Sequence, residues 1–345
     1  MSDLALLIAI FAGTLAVASV LRLGLRTEPG GKRLGLDARG LLLFVPVLTL
    51  LFSGAARDVL VPMQGALAIY LLCAIGEALG TSRLLRIAVV IGTGLVVHHA
   101  GVSIETVTLP MTDLYWELGW LSPVLTVVWL WACSSLFGRA GSIPNVAYGM
   151  AGLSSLTFYL VCMMVPWATG ESARWLALAV AGVSLAQLPS VGQTAPRAAV
   201  PSSYAMGFLI GCLAILGALK HTAALAALLP VLVISVPLFG ATYTYAAALR
   251  GRARGMHIGQ RRQHLHELLL EQGYTPGQVF GVLMGVSAYM CLLGLGLVAL
   301  VGQPAWLKLS VLVVGMTSGP FIFFVVMRMI AHGPPRPVTD ETPAI

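Results

Sequence analysis

The chain has 345 residues, of which 58% are hydrophobic and only 10% are charged. Soluble domains carry about a quarter charged residues, so this composition excludes a water-soluble fold of this size. The formal net charge of +7 does not indicate nucleic-acid binding, because the basic residues flank apolar runs instead of forming one stripe.

Apolar runs long enough to cross a bilayer recur along the whole chain. A spanning helix needs about 20 mostly apolar residues, and the sequence predicts an all-α, polytopic transmembrane helical bundle of about eleven helices. The first run has no basic leader and no small-residue cleavage site, so it is expected to be retained. The predicted runs are 4–21, 40–55, 59–79, 84–100, 119–138, 147–167, 174–190, 202–219, 222–249, 277–301 and 307–330.

The positions of lysine and arginine predict the orientation of these helices. If the N-terminus is outside and the C-terminus inside, all but four of the 20 basic residues fall on the cytoplasmic side, where they normally accumulate. The four exceptions are Arg57, Arg174, Lys220 and Lys308. Residues 1–332 are thus expected to form one integral-membrane domain, followed by a disordered cytoplasmic tail over 333–345.

Three connections are longer than a turn: the cytoplasmic loops 22–39 and 250–276, and the periplasmic loop 101–118. The alternating pattern of 101–110 predicts a short β-hairpin or strand in the periplasmic loop. His98 and His99 end the preceding run without acidic neighbours in the sequence, so they are not expected to bind a metal. The five cysteines form no C-x-x-C pair, which indicates neither a disulfide framework nor a zinc site.

The loop from Arg250 to Glu267 contains five arginines and three histidines. Guanidinium groups match the geometry of phosphate, so this loop suits an anionic ligand such as a nucleotide diphosphate or a lipid phosphate. A plain anchor that touches lipid headgroups is the alternative interpretation. The residues expected to contact the anion are Arg252, Arg254, Arg261, Arg262, His264 and His266.

Four segments in collinear order resemble one bacterial family. Gln263-His-Leu-His-Glu267, with Thr275-Pro276 and Gln278, is similar to the D-R-x-H-L-H-H-x-L-L-x-x-G-L-S-x-x-Q loop of the polyprenyl-phosphate N-acetylhexosamine-1-phosphate transferases. Asn145–Leu153 resembles N-x-x-D-G-x-D-G-L, and Ser202–Phe208 resembles G-S-x-x-L-G-F. Gly76–Ile87 resembles G-x-x-D-D-x-x-G-L-S-x-x-x-R-L.

The resemblance implies an eleven-helix fold whose enzymes move a sugar-1-phosphate from a UDP-N-acetylhexosamine to a polyprenyl phosphate, using Mg²⁺ and aspartates at the membrane edge. Here the aspartate positions are occupied by Gly76, Glu77, Tyr148, Ala151, Val200, Gly240 and Arg261. Only Glu77 offers a carboxylate, and Mg²⁺ is held largely by carboxylate oxygens. We therefore expect no metal-binding residues and no cofactor, with Mg²⁺ needed only if the protein is active. Glu77 is either the one remaining catalytic carboxylate or a helix-end group that reaches toward Arg83 or Arg86.

The leading hypothesis is a pseudoenzyme of the bacterial cytoplasmic (inner) membrane. It would bind polyprenyl phosphate or a nucleotide sugar as a non-catalytic subunit in cell-envelope polysaccharide or glycolipid biosynthesis, with lipid and an envelope-biosynthesis protein as partners. Asn145 and Glu267 join the loop residues as expected substrate contacts. One alternative is an active transferase that uses Glu77, Asn145, His264 and Glu267; another is a lipid or solute transporter, although the chain has no obvious internal repeat.

Overall fold

The computed structural model describes residues 57–80, 83–108, 115–140, 146–166, 170–187, 200–217 and 274–300, together with residue 12, 46–47 and short stretches between 303 and 318. Seven long α-helices lie in these ranges. They are α1 (Arg57–Ala78), α2 (Arg83–His99), α3 (Ser122–Ala140), α4 (Val146–Met164), α5 (Glu171–Gln187), α6 (Val200–Gly217) and α7 (Pro276–Ala299).

Five of the described helical segments are long and apolar enough to cross a membrane, and α2 is a shorter apolar helix. The five segments are Asp58–Glu77, Gly119–Arg139, Val146–Met164, Val200–Gly217 and Gly277–Ala299. Each of the seven helices coincides with a predicted apolar run, which confirms a helical, multi-pass membrane protein. The predicted total of eleven helices and the N-out orientation stay predictions. Apart from residues 12, 46 and 47, the runs at 4–21, 40–55 and 222–249, the loop 22–39, most of 250–276, the run at 307–330 beyond residue 318 and the tail lie outside the described residues.

Helix α5 begins earlier than its apolar run suggests. The run was placed at 174–190, whereas the helix covers Glu171–Gln187. Glu171 lies in the first turn, where a carboxylate interacts favourably with the helix dipole, and it accepts a hydrogen bond from Arg174 at 3.2 Å. The paired polar side chains at its start thus extend α5 beyond the apolar segment.

Helix α6 is the centre of the described bundle. It packs against α1, α3, α4 and α5, and every residue from 201 to 217 is buried except Tyr204, which is half-buried. A helix that is apolar on all sides is stable only when other helices or lipid surround it. Here other helices surround it, so lipid contact falls mainly to the outer helices, including the exposed Leu292 of α7.

The closest helix approach joins α6 to α3. A Cβ atom added to Gly207 would lie 2.5 Å from the carbonyl oxygen of Cys133 and 2.7 Å from Cβ of Phe137. One turn further along α6, the carbonyl oxygen of Gly211 accepts a hydrogen bond from Nε1 of Trp129 at 3.2 Å. Two glycines four residues apart let helix backbones approach closely in membranes, where packing and polar contacts replace the hydrophobic effect.

Neighbouring contacts fix the direction of the helices. Glu77 at the end of α1 pairs with Arg86 at the start of α2, and Gly138 near the end of α3 faces Tyr204 near the start of α6. Gly149 near the start of α4 faces Met284 in the first half of α7. We call this side of the bundle the Glu77 end and the opposite side the His98 end.

A two-stranded antiparallel sheet lies at the His98 end between α2 and α3. Strands β1 (Thr106–Thr108) and β2 (Tyr115–Glu117) pair with Thr106 opposite Glu117. A 3-10 turn over Gly119–Leu121 then leads into α3. The alternating segment thus contains a short strand, as one form of the prediction had it, and the partner strand lies beyond that segment.

We predict that Gly207→Ala destabilises the bundle, because the new Cβ has no space against the α3 backbone. Overpacking of this kind typically costs about 1–3 kcal/mol. The measurement is the thermal-unfolding midpoint of the purified protein in detergent. Gly281→Ala is the matched control, since a Cβ on Gly281 meets no atom of the described residues within 4 Å. Equal midpoints for the two variants would contradict the close α3–α6 packing.

Candidate functional site

The Glu77 end contains the charged pair at which the family resemblance places a metal-binding carboxylate. Helix α1 ends at Ala78, and the turn that follows contains Gly80, whose φ of +67° belongs to the left-handed region that favours glycine. The amide of Gly80 donates to the carbonyl of Glu77 at 3.1 Å. The chain then reverses into α2, and Nη1 of Arg86 donates to Oε1 of Glu77 at 3.1 Å.

This ion pair joins Glu77 to one of the two arginines expected near it. Its partner is Arg86, as the helix-end interpretation allowed. The side chains of Arg86 and Glu77 are 25% and 28% exposed, so water screens the pair only in part. A guanidinium thus offsets part of the charge of this carboxylate, and a cation that binds Glu77 would compete with Arg86.

The other described positions that correspond to family aspartates carry no carboxylate. Tyr148 and Ala151 lie in the first two turns of α4 and are 2% and 0% exposed. Gly76 is buried and Val200, the first residue of α6, is half-buried. In the described ranges, no group of three His, Cys, Asp or Glu side chains is placed to hold a metal ion. At these four positions the helix ends therefore carry glycine or an apolar or aromatic side chain.

The motif glycines that the chain keeps have a packing role. A Cβ on Gly149 would lie 2.5 Å from Sδ of Met284 in α7. A Cβ on Gly152 would lie 3.2 Å from Cβ of Ser184 in α5. These two glycines lie next to Tyr148 and Ala151 in the sequence, and they let α4 approach α7 and α5.

The retained Thr275-Pro-Gly-Gln278 segment forms the start of α7. The Thr275 side chain accepts from the amide of Gln278, and Oε1 of Gln278 accepts from the amide of Thr275 at 2.9 Å. This reciprocal arrangement is a capping box, and Pro276 occupies the first turn, where its missing N–H costs nothing. The T-x-x-Q spacing alone could have predicted the cap. This part of the family loop therefore has a structural role.

Most of the residues predicted to contact a substrate lie outside the described part of the chain. Asn145 precedes α4 by one residue, and the remainder belong to the loop before α7. Asn145, Arg252, Arg254, Arg261, Arg262, His264, His266 and Glu267 lie outside the described residues, as do Gly240 and the lysines. Their proposed roles stay predictions.

The histidines at the other end have acidic neighbours that the sequence did not suggest. The rings of His98 and His99 meet edge to face, with centroids 5.4 Å apart. Glu105 and Glu117 line the same pocket, because the hairpin folds back over the end of α2. The expectation that these histidines lack acidic company is wrong in the folded chain.

We predict that the free energies of unfolding of Glu77→Gln and Arg86→Met variants are coupled. Each single change leaves the partner charge half-buried, so the double variant should lose less stability than the two singles summed. For a partly exposed pair we expect a coupling of about 1 kcal/mol, measured by reversible unfolding in mixed detergent. The exposed pair of Glu171 and Arg174 is the control and should couple more weakly. Strict additivity at Glu77 and Arg86 would show that the pair contributes nothing.

Comparison with known proteins agrees with the motif resemblance. No family model matches the sequence. The chain is 22% identical over 311 residues to a protein of Bacillus subtilis (strain 168) described as a probable undecaprenyl-phosphate N-acetylglucosaminyl 1-phosphate transferase. The match covers 85% of this chain and 78% of the relative. Over most of its length the chain is therefore similar to a protein whose description agrees with the family that its motifs resemble.

Proposed function

We propose that this protein is a non-catalytic member of its family, which binds a polyprenyl phosphate or a nucleotide sugar in the bacterial inner membrane. It would serve cell-envelope polysaccharide or glycolipid biosynthesis as a subunit or partner of active enzymes. The Glu77 end would face the cytoplasm, which agrees with the described arginines Arg83, Arg86 and Arg139 at that end.

The pairing of Glu77 with Arg86 at 3.1 Å is the observation that carries this proposal. Phosphoryl transfer depends on positioning and on neutralising charge, and Mg²⁺ normally supplies much of that charge. Here the one remaining carboxylate already has a cationic partner within the protein. Loss of one well-placed electrostatic contributor typically costs about 10²–10³ in rate, so several losses together should leave negligible turnover.

Packing of the retained motif residues supports the same proposal. Gly80, Gly149, Gly152 and Gly207 each end a helix or allow a close helix contact. These residues are needed for the family's scaffold whether or not it catalyses a reaction. Their retention beside lost carboxylates is what we expect of a protein that needs the shape of the site without its metal chemistry.

The basic loop is the proposed ligand-binding element. It joins α7 at Thr275, and Tyr274 just before that cap is only 7% exposed. The end of the loop is thus anchored at the Glu77 end of the bundle. From there its arginines and histidines would reach a phosphate at the membrane surface, where guanidinium groups bind phosphate oxygens in pairs.

The comparison suggests the ligand class. The description of the Bacillus subtilis relative names undecaprenyl phosphate and an N-acetylglucosaminyl 1-phosphate group. Both the lipid and the sugar donor of such a reaction carry phosphate. We therefore propose undecaprenyl phosphate and UDP-N-acetylhexosamine as the ligands to test first.

We predict that the purified protein in nanodiscs binds undecaprenyl phosphate or UDP-GlcNAc, and that Arg262→Gln with His264→Ala weakens binding at least tenfold. The reason is the loss of charge-assisted hydrogen bonds to phosphate, each contributing roughly 1.5–3 kcal/mol. Binding is measured by microscale thermophoresis at fixed ionic strength. Arg336→Gln removes a charge from the tail and should leave affinity unchanged.

Absence of binding to both ligands would contradict the proposed function. Equal affinity of the double variant and the wild-type protein would contradict the assignment of the loop, as would a loss of affinity in Arg336→Gln of the same size. Each variant is first checked for a wild-type unfolding midpoint, so that a folding defect is not read as lost binding.

A further inference from the structure

Three tryptophans from separate parts of the chain are exposed at the His98 end of the bundle. Trp116 lies in β2, Trp120 lies in the 3-10 turn before α3, and Trp306 follows the end of α7. Their residues are 73%, 81% and 69% exposed, respectively. Among the described residues, no exposed tryptophan lies at the helix ends of the Glu77 side. The His98 end is therefore the end that presents tryptophan to its surroundings.

Trp120 continues an exposed stripe of α3. Val124, Val128 and Trp131 are exposed on this helix, and their spacing from Trp120 places all four residues on one face. This helix belongs to the apolar segment Gly119–Arg139, which is long enough to cross a membrane. An exposed apolar stripe on a spanning helix contacts the acyl chains of lipid. Trp120 thus lies at the point where this stripe reaches the membrane surface.

The length of the segment gives the depth of its tryptophans. Its 21 residues span about 31 Å at 1.5 Å each, close to the hydrocarbon thickness of about 30 Å. Trp120 is next to the first residue of this segment and therefore lies at the boundary between acyl chains and headgroups. Trp131 lies about 16 Å deeper along the helix axis, near the middle of the bilayer.

The hairpin begins at the level of this boundary. The amide of Ile104 donates to Oγ1 of Thr126 in α3 at 3.0 Å, and Ile104 is buried. Successive residues of a strand point to opposite faces, and Glu117 lines the pocket beside the histidines. Trp116 therefore projects from the other face of the sheet. The hairpin is held against α3 and directs one indole away from the pocket.

Two turns keep Trp306 close to the end of α7. The amide of Gln303 donates to the carbonyl of Leu300 at 3.0 Å. The amide of Leu307 donates to the carbonyl of Pro304 at 3.1 Å. The chain thus folds compactly after α7, and the exposed indole stays at the His98 end.

The chemistry of tryptophan indicates what covers these side chains. Its ring is large and apolar, whereas its indole N–H donates a hydrogen bond, so it favours the layer between acyl chains and water. Trp120 already borders acyl chains through the α3 stripe. A single protein partner would have to contact three separate chain segments, whereas the surface of a bilayer is continuous around the bundle.

We propose that Trp116, Trp120 and Trp306 bind the phospholipid headgroup layer at the His98 end, and that the β-hairpin lies against lipid. The rings pack on the upper acyl chains, and the indole N–H groups donate to ester and phosphate oxygens. In the proposed orientation this layer belongs to the periplasmic leaflet. The surface is independent of the phosphate-binding role proposed for the opposite end.

The test is fluorescence quenching of the full-length protein in phosphatidylcholine nanodiscs. Lipids brominated close to the headgroup or close to the chain end quench nearby indoles, and aqueous iodide quenches indoles in water. The chain has seven tryptophans, so the contribution of each is the signal lost in Trp116→Phe, Trp120→Phe or Trp306→Phe. We expect bromine near the headgroup to quench these contributions more than bromine near the chain end, with little quenching by iodide.

Trp131→Phe is the matched control from the same stripe, and its contribution should show the reverse order of the two lipids. Contributions of the three tryptophans that iodide quenches and neither lipid does would overturn the proposal. Protection from iodide and from both lipids would overturn it in favour of a protein cover, such as a second copy of the chain. A phenylalanine variant without the wild-type unfolding midpoint is replaced by tyrosine, as in Trp120→Tyr, which also removes the tryptophan signal.

Discussion

The contact between α3 and α6 is the constraint on which the described structure depends. Gly207 brings the two backbones so close that a single added methyl group would meet the carbonyl of Cys133. With α3 held on one side, α6 is left to pack against α1, α4 and α5 on the others. This packing positions the helix ends at both sides of the bundle. They include the ends that carry the Glu77–Arg86 pair and the end of α2 that lines a pocket with the hairpin.

The motif residues that this chain retains have a different physical role from the motif residues that it lacks. Glycines that end a helix or admit a neighbouring helix remain, as at Gly80 and Gly149, and so does the capping box at Thr275. Carboxylates that could bind a cation are replaced, or in the case of Glu77 paired with an arginine. The proposed non-catalytic role accounts for both sets of residues.

Local patterns in the sequence were sufficient to predict the described helices and the first strand of the hairpin, because run length and alternation report directly on lipid burial and strand formation. They could not single out α6 as the buried centre, since its hydropathy resembles that of the lipid-facing helices. His98 and Glu117 line one pocket because the hairpin folds back, over a separation that no local pattern spans.

The most direct test of the central claim is a radiolabel transfer assay with the purified protein, undecaprenyl phosphate, and UDP-GlcNAc or UDP-GalNAc, with Mg²⁺ or Mn²⁺. An aspartate-complete member of the family, prepared in the same way, serves as the positive control. A non-catalytic protein should form no labelled lipid above the level of empty nanodiscs. Labelled lipid that depends on the metal, and disappears in Glu77→Gln, would show an active transferase and contradict the account.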